Sequence, residues 1–269
     1  MHRGATLAQR LAGALRSAAR GGGGGGGGSR PAATAAMAGA DLHGGAPRRV
    51  VRGVVADMDG TLTVPCIDFA AMRRAVGIDT GDILTTIDGW ADEARRAAAY
   101  AAIAAVEEQA LANMQCMPGV REFAQLLDGA GVPRALLTRN VSSSVEFFHR
   151  NHFDLPPFFP ALSREWTPYK PAPDAILHIA EQWGCPPSEV VMIGDSAKDD
   201  VVAGNRAGAV TILLDTESEW AGGGDARLVG ELRPHFYCTS LAEAAAVLRE
   251  RLELRPPARP DAAAAGEGA

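Results

Sequence analysis

Short apolar runs alternate with stretches of helical periodicity along most of this chain, and that alternation narrows the architecture more than any other feature. Val50–Ala56, Ala135–Thr138, Val190–Gly194, Val210–Leu214 and Phe236–Cys238 are brief and rich in aliphatic or aromatic side chains, as buried strands are. Between them, helices are expected from Pro118-Gly119 through Leu127, over 141–152, over Pro173–Trp183, from the end of the third run to about Arg206, and over 240–253. Pro118 suits a first helical turn, and Gly184 suits a helix end. Strands that alternate with helices form a parallel sheet covered on both faces, and in such sheets ligands sit beyond the carboxyl ends of the strands. The expected fold class is therefore α/β, with a core over 49–62 and 118–253. The block 63–117 is helical throughout and breaks the rhythm between the first two core strands. It reads as a small α-helical cap inserted into the core.

Composition limits the partners. The chain has 269 residues, 47% hydrophobic and 22% charged, as a soluble globular protein does. No stretch approaches the roughly 20 apolar residues of a spanning helix, so no membrane partner is expected. The net charge is -6, yet residues 1–40 hold five arginines and no acid. With those five positive charges set aside, the rest carries -11, which argues against a nucleic-acid partner. An anionic substrate must then be drawn in by a local feature such as a metal ion. Cys66, Cys116, Cys185 and Cys238 are widely scattered, match no zinc signature, and read as free thiols in a reducing compartment.

The chain's first 48 residues look like an addition to the fold. Leu7, Leu11 and Leu15 share one helical face, with Arg3, Arg10, Arg16 and Arg20 among the other positions, as in an organelle transit peptide. Eight glycines at 21–28 follow as a flexible linker. Plastid and mitochondrion are both open as destinations, and a start at Met37 would delete the signal and leave a cytoplasmic protein. Residues 254–269 read as a disordered tail.

Four clusters close the strands or precede a helix. They are Asp57-Met58-Asp59-Gly60-Thr61, Leu137-Thr138-Arg139-Asn140, Tyr169-Lys170-Pro171, and Gly194-Asp195-Ser196-Ala197-Lys198-Asp199-Asp200. This ordered set resembles the haloacid dehalogenase superfamily over about residues 50–250, in particular its phosphoglycolate phosphatase-like branch with a small helical cap. The resemblance implies a Rossmann-like core and a magnesium-dependent phosphatase acting on a small phosphorylated metabolite through an aspartyl-phosphate. It implies Asp57 as nucleophile and metal ligand, Asp59 as general acid–base with its backbone carbonyl on the metal, and Asp195 as the other metal ligand.

Phosphoryl-transfer chemistry fits these residue types. Attack on a phosphate monoester needs a placed nucleophile, charge neutralisation and a proton for the leaving oxygen. Thr138 offers a hydroxyl and adjacent amides before a helix start, a phosphate cradle, or else satisfies its own backbone. Asn140 could join that cradle or cap the helix. Arg139 is a further candidate for substrate contact. Lys170 and Lys198 are the two lysines among 26 basic residues. A lysine kept at Lys170 points to a compact ammonium that neutralises phosphate; Lys198 has no assigned role. Asp199 and Asp200 are both supporting acids; the Gly-Asp-x-x-x-Asp pattern of the family this chain resembles implies Asp199, which also stands at capping-box distance from Ser196. The arginines at 73, 74, 95 and 96 read as a solvated face of the cap, while Cys66 and Asp88-Gly89-Trp90 could touch substrate. The alternatives are a sugar phosphomutase built on the same motifs and, further off, a catalytically silent binding module. Substrate and oligomeric state are left open.

Overall fold

The computed structural model describes residues 47–220 and 223–258. The transit-peptide, glycine-linker and Met37 expectations lie outside those residues, as does the tail beyond 258.

Eight strands form two sheets. Strands β2 (Gly53–Ala56), β3 (Arg134–Leu137), β4 (Ala161–Leu162), β5 (Val190–Gly194), β6 (Val210–Leu214) and β7 (Phe236–Cys238) make one sheet in the order β4-β3-β2-β5-β6-β7. Every neighbouring pair in it is parallel. Side chains alternate between the faces as strand geometry requires. Val54, Ala56, Val191 and Ile193 pack with Phe123, Phe148 and Leu248 from helices α4 (Val120–Gly129), α5 (Ser142–Asn151) and α8 (Leu241–Glu250). Val55, Val190 and Met192 face the other way, against Ile176, Ile179 and Ala203 of α6 (Asp174–Gln182) and α7 (Val202–Ala207). The expected α/β Rossmann-type arrangement is present, and both faces are apolar because both are covered.

Three boundaries differ from expectation. The run Val50–Ala56 is two strands rather than one, broken at Arg52, whose guanidinium pairs with Glu189 at 2.6 Å. Its first part, β1 (Arg49–Val51), pairs in parallel with β8 (Leu252–Leu254) in a separate two-stranded sheet. The final helix therefore stops at Glu250, and Leu254 belongs to a strand, not to a tail. The physical reason is burial: Leu252 is 3% exposed, and the Arg255 N–H donates to the Val51 carbonyl at 2.9 Å. The two-residue edge strand β4 was not anticipated at all.

Between β2 and α4 the chain makes three helices: α1 (Phe69–Val76), α2 (Ile83–Asp88) and α3 (Glu93–Leu111). An aspartate caps each one. Asp68, Asp82 and Asp92 accept from the backbone N–H groups of Ala71, Thr85 and Arg95 at 2.8, 2.9 and 3.0 Å. Gly77, at φ 73°, turns the chain out of α1. These helices have a hydrophobic cluster of their own, built on Met72, Ile78, Ile83, Leu84, Ile87 and Ile103. The two segments joining them to the sheet run side by side, with Val64 N–H on the Gln115 carbonyl and Met117 N–H on the Leu62 carbonyl, both at 2.9 Å. None of the described helices is long and apolar enough to cross a membrane.

Candidate active site

Adjacent strands β3, β2 and β5 end side by side, and the chain just beyond them carries the charged residues singled out from the sequence. Asp57 follows β2, Thr138 follows β3, and Asp195 follows β5. Lys170, in the segment before α6, reaches into the same place. Its side chain is 2% exposed, and Nζ lies 2.7 Å from Asp57 Oδ1 and 2.6 Å from Asp200 Oδ1. Carboxylate oxygens of Asp57, Asp195 and Asp200 fall within 4.8 Å of one another. A buried ammonium without partners would shed its proton. Here burial opposes the charge, but the two carboxylates outweigh it and hold Lys170 above its ordinary value.

Two glycines make room for these acids. A Cβ on Gly60, which has φ 78°, would lie 2.0 Å from Asp195 Oδ2. One on Gly194 would lie 2.1 Å from Asp200 Cγ. Both positions must lack a side chain for the carboxylates to sit where they do.

Asp200, not Asp199, is the acid that meets Lys170, which corrects the preference drawn from the family pattern. The segment Ala197–Val201 is a π-turn, wider by one residue than an α-turn, and it delays the inward-facing acid by one position. Ser196 Oγ does accept from the Asp199 N–H at 3.1 Å, but the reciprocal bond to the Ser196 N–H comes from Asp200 Oδ2 at 3.0 Å. Asp199 instead pairs with Arg139 at 3.1 Å. Arg139 also takes both carboxylate oxygens of Asp82, at 2.7 Å each, so its guanidinium is held by two acids and is not free for a substrate anion.

The remaining candidates are spread around one cavity of about 420 Å³. Asp59 lines it, with Oδ1 accepting from the Cys66 N–H at 3.2 Å and from the Cys66 thiol at 3.7 Å. Burial pushes the Asp59 carboxyl up to about 6; the Cys66 N–H opposes the shift and the charge of Asp57 adds to it. Burial likewise raises Asp195 and Asp200, with Asp57 adding to both and Lys170 pulling both back. Thr138 is buried, its Oγ1 accepting from the Asn140 N–H at 3.1 Å. Asn140 lines the cavity and does not cap α5, which starts after Val141 without a side-chain cap. Lys198 lines the cavity too, with no ion pair among the described residues. Asp88 accepts from the Tyr169 hydroxyl at 2.6 Å, Trp90 is covered by Arg95 at 3.7 Å, and neither is among the residues lining the cavity.

Sequence reasoning missed the far wall. Glu107 of α3 and Arg164, after β4, form a two-pronged pair at 2.8 and 3.0 Å on the cavity's surface. Asp82, Glu219 and Trp220 also line it. No motif marks these residues, which reach the cavity from the helices of 69–111, the segment after β4 and the segment after β6. In chemical terms the site offers a carboxylate beside a buried ammonium, a second carboxyl with an oxygen turned to the cavity, and acids placed to hold a cation.

Residues 51–208 match the family model described as haloacid dehalogenase-like hydrolase. A haloacid dehalogenase-like hydrolase domain-containing protein of Arabidopsis thaliana is 44% identical over 218 residues, 77% of this chain and 87% of that protein. Among solved structures, a hydrolase from Pseudomonas syringae superposes with a TM-score of 0.61 at 18% identity, over 75% of this chain and all of that one (100%). A second, from Deinococcus radiodurans and containing bound phosphate and sodium, gives 0.50 at 22% identity, over 74% of this chain and 96% of that one.

Proposed function

This chain belongs to the haloacid dehalogenase-like hydrolases, and from that premise we propose that it is a magnesium-dependent phosphatase acting on a small phosphorylated metabolite through an aspartyl-phosphate formed on Asp57. The observation that carries the reading is the buried Lys170 ammonium, 2.7 Å from Asp57 Oδ1 and 2.6 Å from Asp200 Oδ1, next to Asp195. That arrangement sets a positive charge against the Asp57 carboxylate and holds it in place. A neighbour of this fold from Deinococcus radiodurans holds a phosphate, which supports a phosphoryl-binding reading.

The residues fit a divalent cation. Asp57, Asp195 and Asp200 bring three negative charges within 4.8 Å, and Lys170 supplies one positive charge, which leaves an excess of two. The Asp195 carboxylate has no hydrogen bond or ion pair among the described residues and is raised by burial, so it gains from a cation. The donors are all oxygens, the set that magnesium prefers. Asp57 and Asp195, with the Asp59 carbonyl, would hold it; Asp200 is committed to Lys170 and the Ser196 N–H. When bound, the ion would neutralise charge on the phosphoryl oxygens.

The chain's own groups perform the steps. Asp57 attacks phosphorus and the bond to the leaving oxygen breaks. Asp59, whose Oδ1 is occupied by Cys66, uses Oδ2 to protonate that oxygen. It then takes a proton from the water that attacks the aspartyl-phosphate, releasing phosphate and restoring Asp57. Lys170 offsets charge on Asp57 in both steps, and the Thr138 segment cradles the phosphoryl oxygens. The helices α1–α3 serve as a cap that screens the site. Purified protein should release phosphate from p-nitrophenyl phosphate with magnesium and not with EDTA, and Asp57→Asn should abolish turnover while the protein stays folded. Retained activity in that variant, or no metal-dependent release from any of a broad phosphoester panel, would contradict the proposal.

A further inference from the structure

The inference rests on the phosphatase reading and concerns what stands beyond the phosphoryl group. Apart from Lys170 and the acids around it, the charges lining the cavity balance. Arg139 is clasped by Asp82 and Asp199, and Arg164 by Glu107. Arg73, Lys198 and Glu219 complete the wall without ion pairs among the described residues, so that with Asp59 also set aside four cations face four carboxylates.

The Glu107–Arg164 pair constrains a ligand most. Its side chains are 5% and 11% exposed. A buried pair is tolerable only while each charge keeps its partner. A second anion set against this pair would compete with Glu107 for Arg164, and a cation there would compete with Arg164 for Glu107. Either would leave one buried charge unmatched. Hydroxyl groups impose no such exchange, because carboxylates keep spare lone pairs and guanidiniums spare N–H donors. Met72, Ile83, Leu84 and Trp220 add apolar stretches of wall suited to C–H surface.

We propose that the leaving group is an uncharged, hydroxylated carbon skeleton, so that the substrate is the monophosphate of a polyol or sugar, with Glu107 and Arg164 setting that specificity. The reading predicts a ranking of size-matched compounds. Glycerol 3-phosphate should be hydrolysed with kcat/KM at least about tenfold above 3-phosphoglycerate, which replaces a hydroxymethyl group with a carboxylate. Glucose 6-phosphate should lead glucosamine 6-phosphate by a similar factor, the change there being hydroxyl to ammonium.

Glu107→Gln and, on the exposed loop, Glu219→Gln each remove one negative charge from the wall. Both should move the glycerol phosphate to phosphoglycerate ratio about tenfold toward the carboxylated member. Each ratio is read on one preparation, so a partial folding loss in Glu107→Gln cancels. The inference is overturned if the wild-type protein prefers the carboxylated or aminated member of a pair, or if neither variant changes the ratio by more than about twofold. Either result, alongside Asp57-dependent hydrolysis of p-nitrophenyl phosphate, would leave the phosphatase reading standing. If no phosphoester is hydrolysed, both readings fall.

Discussion

Replacing Lys170 with methionine keeps an unbranched side chain of similar length and removes the one charge that separates Asp57 from Asp200. Both carboxylates are buried, and both touch Nζ within 2.7 Å. In metal-free buffer the folded variant must hold two unpaired carboxylates together or bind one proton. At pH 7, protonating an aspartate of ordinary pKa, about 4, costs roughly 4 kcal/mol. That agrees with the roughly 3–5 kcal/mol lost when one partner of a buried pair is removed. The sign follows from proton uptake. The folded variant keeps a proton that the unfolded chain releases, so the folded pKa is the raised one, and stability falls as pH rises. The penalty is small near pH 4 and grows by about 1.4 kcal/mol per unit. Urea denaturation of both proteins in EDTA should show a gap larger by about 3 kcal/mol at pH 7.5 than at pH 5. A gap below about 1 kcal/mol at pH 7.5, or one that does not change with pH, would refute the assignment of Lys170 as the neutralising charge.

Gly60→Ala forces a Cβ to within 2.0 Å of Asp195 at a φ of 78°. It should cost at least about 1–2 kcal/mol in stability and weaken magnesium binding measured by calorimetry. Asp82→Ala removes both the cap of α2 and the clasp on Arg139, at about 1–2 kcal/mol. Hydrogen exchange should then quicken across 69–111 more than in β2 or β5, and uniform exchange would argue against the clasp. Ending the chain after Arg251 strips β8 and the buried Leu252, and should lower stability by at least about 2 kcal/mol, whereas ending it after Arg255 should not.

Much of this was legible because each strand is a short apolar run and each strand-end residue follows one. Asp57, Thr138 and Asp195 are found by counting forward from a strand, and the sheet that brings those ends together follows from the alternation itself. The errors occur where geometry departs from a regular period. The π-turn at Ala197–Val201 moved the inward acid from Asp199 to Asp200, and no residue type in that turn announces the extra position. Arg52 splits an apolar run by pairing with a residue 137 positions away. Arg139 stands beside the expected phosphate cradle, yet its partners, Asp82 and Asp199, lie far from it in sequence. Glu107 and Arg164 are 57 residues apart on unrelated elements, and their meeting is a property of the packed insertion alone.

The pairing of Arg49–Val51 with Leu252–Leu254 has a consequence for how the domain is made. Arg49–Val51 leave the ribosome long before their partner and must wait until Leu252–Leu254 have been translated. During synthesis the edge at Arg49–Val51 stays unmatched until β8 emerges. A release assay on stalled nascent chains should therefore show protease resistance rising sharply once Leu254 clears the exit tunnel. The same closeness of first and last strands makes the sequence a natural candidate for circular permutation, with new termini placed in an exposed loop elsewhere.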